Sequence, residues 1–236
     1  MQIIYLSIFN IVSGFCTVFE STLHGLSHTK YGNSKLADDM IWRMHRMEQN
    51  GHDKVKINST CLNLAIKACC HNTKLPKGEM VAFDAHEYVM NFVDKYDEGK
   101  IAVLPSRVGF NTLLTCWAET KHWNCHLKAE EIYNTMERLS RKGANSVSPD
   151  MFTNSLMLRI YTSQINRSKV QKKALNFFNK FDFKDLDTYT CNCMLTLLAR
   201  STNANNVEKA RQLLLDMEER RLANVTSYNT MVRGFL

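Results

Sequence analysis

The chain has 236 residues and 27.3 kDa, room for one large domain or a row of small units. Its 44% hydrophobic and 22% charged residues exclude disorder as a global description, and 9 glycines with 3 prolines are too few for a turn-rich β-sandwich or barrel. The 30 Lys and Arg against 23 Asp and Glu give a net charge of +7, compatible with a nucleic-acid partner.

The chain begins with an apolar stretch, residues 2–19, that carries no charge. It lacks the basic start of a secretory signal and the scattered Arg of an organelle transit peptide. Ser7, Asn10, Ser13, Gly14 and Thr17 dilute it as a membrane anchor, so a core helix or a truncated start is expected, with no membrane partner.

Beyond this stretch two helical patterns alternate. In the first, Glu20, Asn63, Asn111, Ser155, Asn192 and Asn229 are each followed at three and six residues by large side chains or Cys. These are Leu23 and Leu26, Ile66 and Cys69, Leu114 and Trp117, Leu158 and Tyr161, Leu195 and Leu198, Val232 and Phe235. In the second, Ala37, Ala85, Ala129, Ala174 and Ala210 are followed at three, four and seven residues by large apolar side chains, such as Ile132, Tyr133 and Met136. Both spacings put the apolar residues on one helical face. The starting residues of the first pattern lie 37 to 48 apart, and KLPKGE, SRKGANSVSPD and STNANN read as the loops between helices. Helix pairs this short must stack to bury their faces. The expected fold is all-α, an α-solenoid of antiparallel helix pairs with about five repeats. The last pair stops at Leu236 without a second helix, which reads as a truncated repeat of a longer protein.

No Leu-Gly pair of the tetratricopeptide kind occurs at the matching place. VGFNTLLTCWAET (108–120) and VTSYNTMVRGFL (225–236) instead resemble the first helix of the pentatricopeptide repeat family. AEEIYNTMERLSRKG (129–143) and ARQLLLDMEERRL (210–222) look like its second helix, and SPD at 148–150 like its repeat boundary. The resemblance covers about 16–236 and is strongest from 107 onward. It divides the chain into an apolar segment 1–15, a divergent repeat 16–58, repeats 59–106, 107–150, 151–187 and 188–224, and a truncated repeat 225–236.

The resemblance implies a protein that binds single-stranded RNA, about one base per repeat, in mitochondrial or chloroplast RNA processing, stability, editing or translation. Other RNA-processing proteins would be further partners. Carried over residue by residue, the reading pairs are Asn63 with Ser106, Asn111 with Asp150, Ser155 with Asp187, and Asn192 with Asn224; the partner of Asn229 falls past the chain end. The family's preferences would have Asn with Asp favour uracil, Asn with Asn cytosine, and Ser with Asp guanine. Val108, Phe152 and Tyr189, with Thr60 and Thr226 as smaller equivalents, would pack against bases. Glu20 departs from the pattern, since a carboxylate repels RNA phosphates.

Each feature also has a plainer reading. An Asn at a helix start serves as a cap, and Phe152 and Tyr189 could equally be core. Cys116, His122, Cys125 and His126 fit no standard zinc spacing, and Cys191 and Cys193, like Cys61, Cys69 and Cys70, sit in apolar stretches as packing thiols of a reducing compartment. No glycine-rich phosphate loop, HExxH, nucleophile elbow or deaminase signature occurs. No catalytic residue, metal or cofactor is therefore expected, and the protein reads as a binder rather than an enzyme. The rival readings are a helical-repeat scaffold for another protein and a truncated RNA-processing enzyme lacking its catalytic domain.

Overall fold

The computed structural model describes residues 21–25, 34–52, 55–70, 78–120, 122–164, 168–181, 186–200 and 203–234. The expectations for residues 2–19 and for Glu20, Leu26 and Phe235 lie outside them. The described residues are helical throughout, with no strand among them. In chain order the helices are α1 (Ser34–Gln49), α2 (Ser59–Cys69), α3 (Gly78–Asp97), α4 (Arg107–Glu119) and α5 (Cys125–Arg141). They continue with α6 (Met151–Ser163), α7 (Ser168–Phe178), α8 (Thr188–Ala199), α9 (Ala204–Glu219) and α10 (Val225–Gly234). A 3₁₀ turn over Asn145–Val147 links α5 to α6. The chain forms two compact units, Met1–Cys116 and Trp117–Leu236.

The even-numbered helices start alike. A polar side chain precedes each and accepts a hydrogen bond from a backbone N–H of the first turn. Asn58 accepts from Cys61 at 2.9 Å, Ser106 from Val108 at 3.3 Å, Asp150 from Thr153 at 2.9 Å, Asp187 from Thr190 at 2.8 Å and Asn224 from Ser227 at 3.1 Å. Such caps satisfy donors that the helix itself leaves unpaired and contribute about 1 kcal/mol each.

Four odd-numbered helices also end alike. After α1, α3, α5 and α9 the chain turns through a left-handed residue, Gly51, Gly99, Gly143 or Arg221. The N–H of the next residue then reaches back to the third-last helical carbonyl, as in Ala144 to Leu139 at 3.1 Å and Leu222 to Met217 at 2.7 Å. This closure satisfies the last free carbonyls and needs positive φ, which glycine adopts without the Cβ clash that Arg221 bears.

The expected loops are shorter than their sequences suggested. Gly78 and Glu79 of KLPKGE already belong to α3, and STNANN enters α9 at Ala204 because Asn203 caps it, accepting from Asn205 at 2.9 Å. A residue type that breaks a helix in its interior starts one at its end.

In the first unit α2 packs against α1 and α3. The core joins Ile41 and Met44 of α1, Leu62 and Ala65 of α2, and Phe92 of α3, all buried. Trp42 stacks on Phe92 with ring centroids 5.5 Å apart, and Lys95 Nζ lies 3.6 Å from the Trp42 ring centroid. In the second unit α6, α8 and α10 pack side by side, while α5 packs against α6, α7 against α6 and α8, and α9 against α8 and α10. Phe177 anchors this unit, with Tyr133 at 5.1 Å, Tyr161 at 5.8 Å and Phe181 at 5.1 Å between ring centroids.

All five pattern alanines, Ala37, Ala85, Ala129, Ala174 and Ala210, are fully buried. A larger side chain there would hold neighbouring helices apart. The stripe of the other pattern is buried at Leu23, Ile66, Cys69, Leu114, Trp117, Leu158, Tyr161, Leu195 and Leu198. Val232 is the departure, since 59% of it is exposed on α10.

Candidate nucleic-acid interface

The even-numbered helices carry the residues singled out in the sequence, and they carry them in one register. Asn63, Asn111, Ser155, Asn192 and Asn229 are each the fifth residue of their helix. This corrects the plainer reading of these residues as caps: the caps are the other members of the pairs, Ser106, Asp150, Asp187 and Asn224. A fifth residue lies more than one turn past the start, where the backbone N–H is already bonded within the helix, so its side chain is not needed as a cap.

The structure brings two pairs into direct contact. In the first unit Asn63 Nδ2 donates to Ser106 Oγ at 2.8 Å, and the Ser106 N–H donates to Asn63 Oδ1 at 3.1 Å. In the second, Asn192 Nδ2 donates to Asn224 Oδ1 at 3.4 Å. Ser155 and Asp187 are linked through Thr190, whose hydroxyl is 2.5 Å from Ser155 Oγ and whose N–H donates to Asp187. Asn111 is buried on α4 and Asp150 caps α6, so this pair is divided between the two units. Asn229 is exposed on α10.

The second residue of each even-numbered helix faces solvent. Phe152 is 60% exposed, Tyr189 48% and Val108 64%, and Thr60 and Thr226 are exposed as well. This settles the choice left open between core and surface for Phe152 and Tyr189. Second and fifth residues are three apart and share a helical face, so each exposed side chain stands one turn from a polar fifth residue. Tyr189 also bonds to Cys193 on its own helix, and partial burial holds its phenol above the usual range against the opposing pull of Arg159 from α6. A cation thus stands near the Tyr189 platform.

Sequence reasoning missed the third residues. Thr153, Thr190 and Ser227 are buried and bond both to the cap before them and, for Thr190 and Ser227, to the fifth residue of the preceding even-numbered helix. The signal was present in the capping spacing of DMFT (150–153), DTYT (187–190) and NVTS (224–227). In the first unit the same position is Gly109, where a Cβ would stand 2.5 Å from Asn63 Oδ1. Arg159 was also missed, because nothing local in LMLRIYT marks it.

The basic clusters are partly neutralised within the second unit. Lys173 Nζ lies 2.7 Å from Glu130, and Arg141 pairs with Glu137 at 3.1 Å. Among the described residues no three His, Cys, Asp or Glu side chains gather as a metal site, and no helix is long and apolar enough to cross a membrane. Burial pushes the thiols of Cys191 and Cys193 up to about 11 from 9.0, as it pushes Cys69 up to about 12. These are packing thiols, poorly suited to nucleophilic attack.

No protein-family model matches the chain. It is similar to the mitochondrial 15S rRNA processing factor ppr3 of Schizosaccharomyces pombe, 29% identical over 133 residues, which make up 54% of this chain and 18% of that protein. The chain therefore spans less than a fifth of the length of the relative it matches.

Proposed function

We propose that the chain is a pentatricopeptide-type α-solenoid that binds single-stranded RNA selectively and works in mitochondrial RNA processing, without chemistry of its own. One observation carries the proposal: Asn63 and Asn192, each a polar fifth residue, bond the cap of the next even-numbered helix, Ser155 reaches its cap Asp187 through Thr190, and an exposed second residue stands one turn from each fifth residue. The similarity to a mitochondrial rRNA processing factor and the net charge of +7 support it.

The chemistry follows from the arrangement. An amide or hydroxyl at the fifth position bonds a base edge, and the neighbouring cap side chain limits which edge fits. Phe152 and Tyr189 offer faces for stacking, worth about 1–3 kcal/mol per base. Lys and Arg draw the phosphates in without reading sequence.

Fluorescence anisotropy with a pool of short single-stranded RNAs, at two salt concentrations and beside a matched DNA duplex, tests this. RNA is expected to be preferred, with affinity falling steeply as salt rises. Asn111→Ala and Asn192→Ala are expected to change base preference more than overall affinity. A folded sample that binds no RNA at low salt would overturn the proposal in favour of a protein-binding scaffold.

A further inference from the structure

Three meetings between successive even-numbered helices follow one register that the reading pairs leave unused. The third residue of one helix meets the fifth residue of the helix before it. Ser227 Oγ donates to Asn192 Oδ1 at 2.7 Å, the hydroxyls of Thr190 and Ser155 are 2.5 Å apart, and Gly109 leaves room beside Asn63 that a Cβ would fill. We infer that this third residue is a positioning residue for base recognition: its hydroxyl, or its absence, decides whether the fifth side chain turns a donor or an acceptor towards the base. The inference rests on the RNA-reading function proposed above.

The step from α8 to α10 shows it most fully. The Asn224 N–H donates to Ser227 Oγ at 3.1 Å, which leaves the hydroxyl with its single proton to give. Of its two acceptors, Asn192 Oδ1 at 2.7 Å is closer than Asn224 Oδ1 at 3.2 Å. The Asn192 oxygen is therefore held at Ser227, and its Nδ2 is left on the other side, 3.4 Å from Asn224 Oδ1. Asn224 Oδ1 also accepts from the Ser227 N–H at 3.1 Å, so the Asn224 Nδ2 points away from the helix start.

A pair locked in this way leads with amide donors, because its oxygens already accept from Ser227 and, for Asn224, from Asn192 as well. Cytosine presents two adjacent acceptors, N3 and O2, on its Watson–Crick edge and suits it. Uracil places an N3–H donor between its carbonyls, and a desolvated donor without an acceptor is costly. If Asn192 turned over, its oxygen would accept that N3–H, and the distinction would fade. Ser227 is what prevents the turn.

The other two steps are set differently by the same position. Ser155 Oγ donates to the Met151 carbonyl at 2.9 Å, so Thr190 supplies the proton of their shared contact and the buried Ser155 hydroxyl keeps only acceptor capacity. At Gly109 there is no hydroxyl, and Ser106 alone orients Asn63 through its own N–H and Oγ.

The test uses the full chain and RNAs selected from the randomised pool. The nucleotide facing Asn192 is the one whose preference changes in Asn192→Ala. Swapping cytosine for uracil there is expected to cost the wild type about threefold to tenfold in affinity, the worth of one hydrogen bond. Ser227→Ala should erase that difference while leaving preferences elsewhere unchanged, and Ser227→Thr should restore it. Independently of RNA, NMR of the free protein should show the Asn192 side-chain amide rotating slowly in the wild type and in Ser227→Thr, and faster in Ser227→Ala. Discrimination that survives in Ser227→Ala, or an Asn192 amide spectrum that the substitution leaves unmoved, overturns the inference. Failure of the wild type to bind RNA overturns the reading function instead, and the amide spectra still decide whether Ser227 holds Asn192.

Discussion

Cys191 and Cys193 flank Asn192, one of the proposed reading residues, and burial pushes both thiols up to about 11. The unfolded chain releases these protons near 9.0, so between about pH 9 and 11 it is the unfolded state that holds fewer protons, and stability falls as pH rises through that window. Tyr133, pushed up to about 12 by burial, and Cys69 add to the same trend. Thermal melts should therefore lose midpoint temperature steadily above pH 9, and Cys191→Ser with Cys193→Ser should flatten the loss. At this scale the packing role of Cys61, Cys69, Cys116 and Cys191 was legible, because each sat in an apolar stretch and is buried. The role of Ser227 was not, because a hydroxyl two residues before an Asn carries no mark of which helix it will meet.

At the scale of the helix, two kinds of ending can be separated by substitution. Asp187 caps α8 and is also the proposed partner of Ser155. Asp187→Asn keeps a good cap, so its melting temperature should stay near wild type while base preference at that repeat changes. Asp187→Ala should change the preference and lose about 1 kcal/mol of stability as well, read by chemical denaturation. If both variants kept the wild-type preference, Asp187 would be a cap alone. At the far end of the odd-numbered helices, Arg221 holds the left-handed position that Gly51, Gly99 and Gly143 hold elsewhere. Arg221→Gly should stabilise the protein by about 0.5–1 kcal/mol, the steric relief exceeding the added freedom of the unfolded chain. The helices themselves were legible from their spacing. Their starts were misplaced at α3 and α9 because Gly and Asn break a helix inside it and begin one at its edge.

For the whole molecule the net charge of +7 is a long-range attraction for any polyanion and carries no base preference. Lys172 and Lys209 are exposed on α7 and α9, which carry none of the proposed reading residues. Neutralising them as Lys172→Gln and Lys209→Gln should weaken binding to every RNA by the same small factor, about twofold, and leave base preference intact. A change in preference would place RNA against the odd-numbered helices instead.

The sequence by itself determined that this chain is helical, which faces are apolar and where five alanines permit close approach, because helical periodicity and side-chain size are written locally. It also marked the polar residues that recur. The capping spacing at Asp150, Asp187 and Asn224 already implied that these residues stand at the fifth helical position, whereas only the tertiary structure decided that Phe152 and Tyr189 face solvent and that Val232 does so too. Burial depends on which helix lies opposite, and no single helix contains that information. The orientation of the Asn192 amide was decided in the same way, since its oxygen is held by a hydroxyl 35 residues further along the chain.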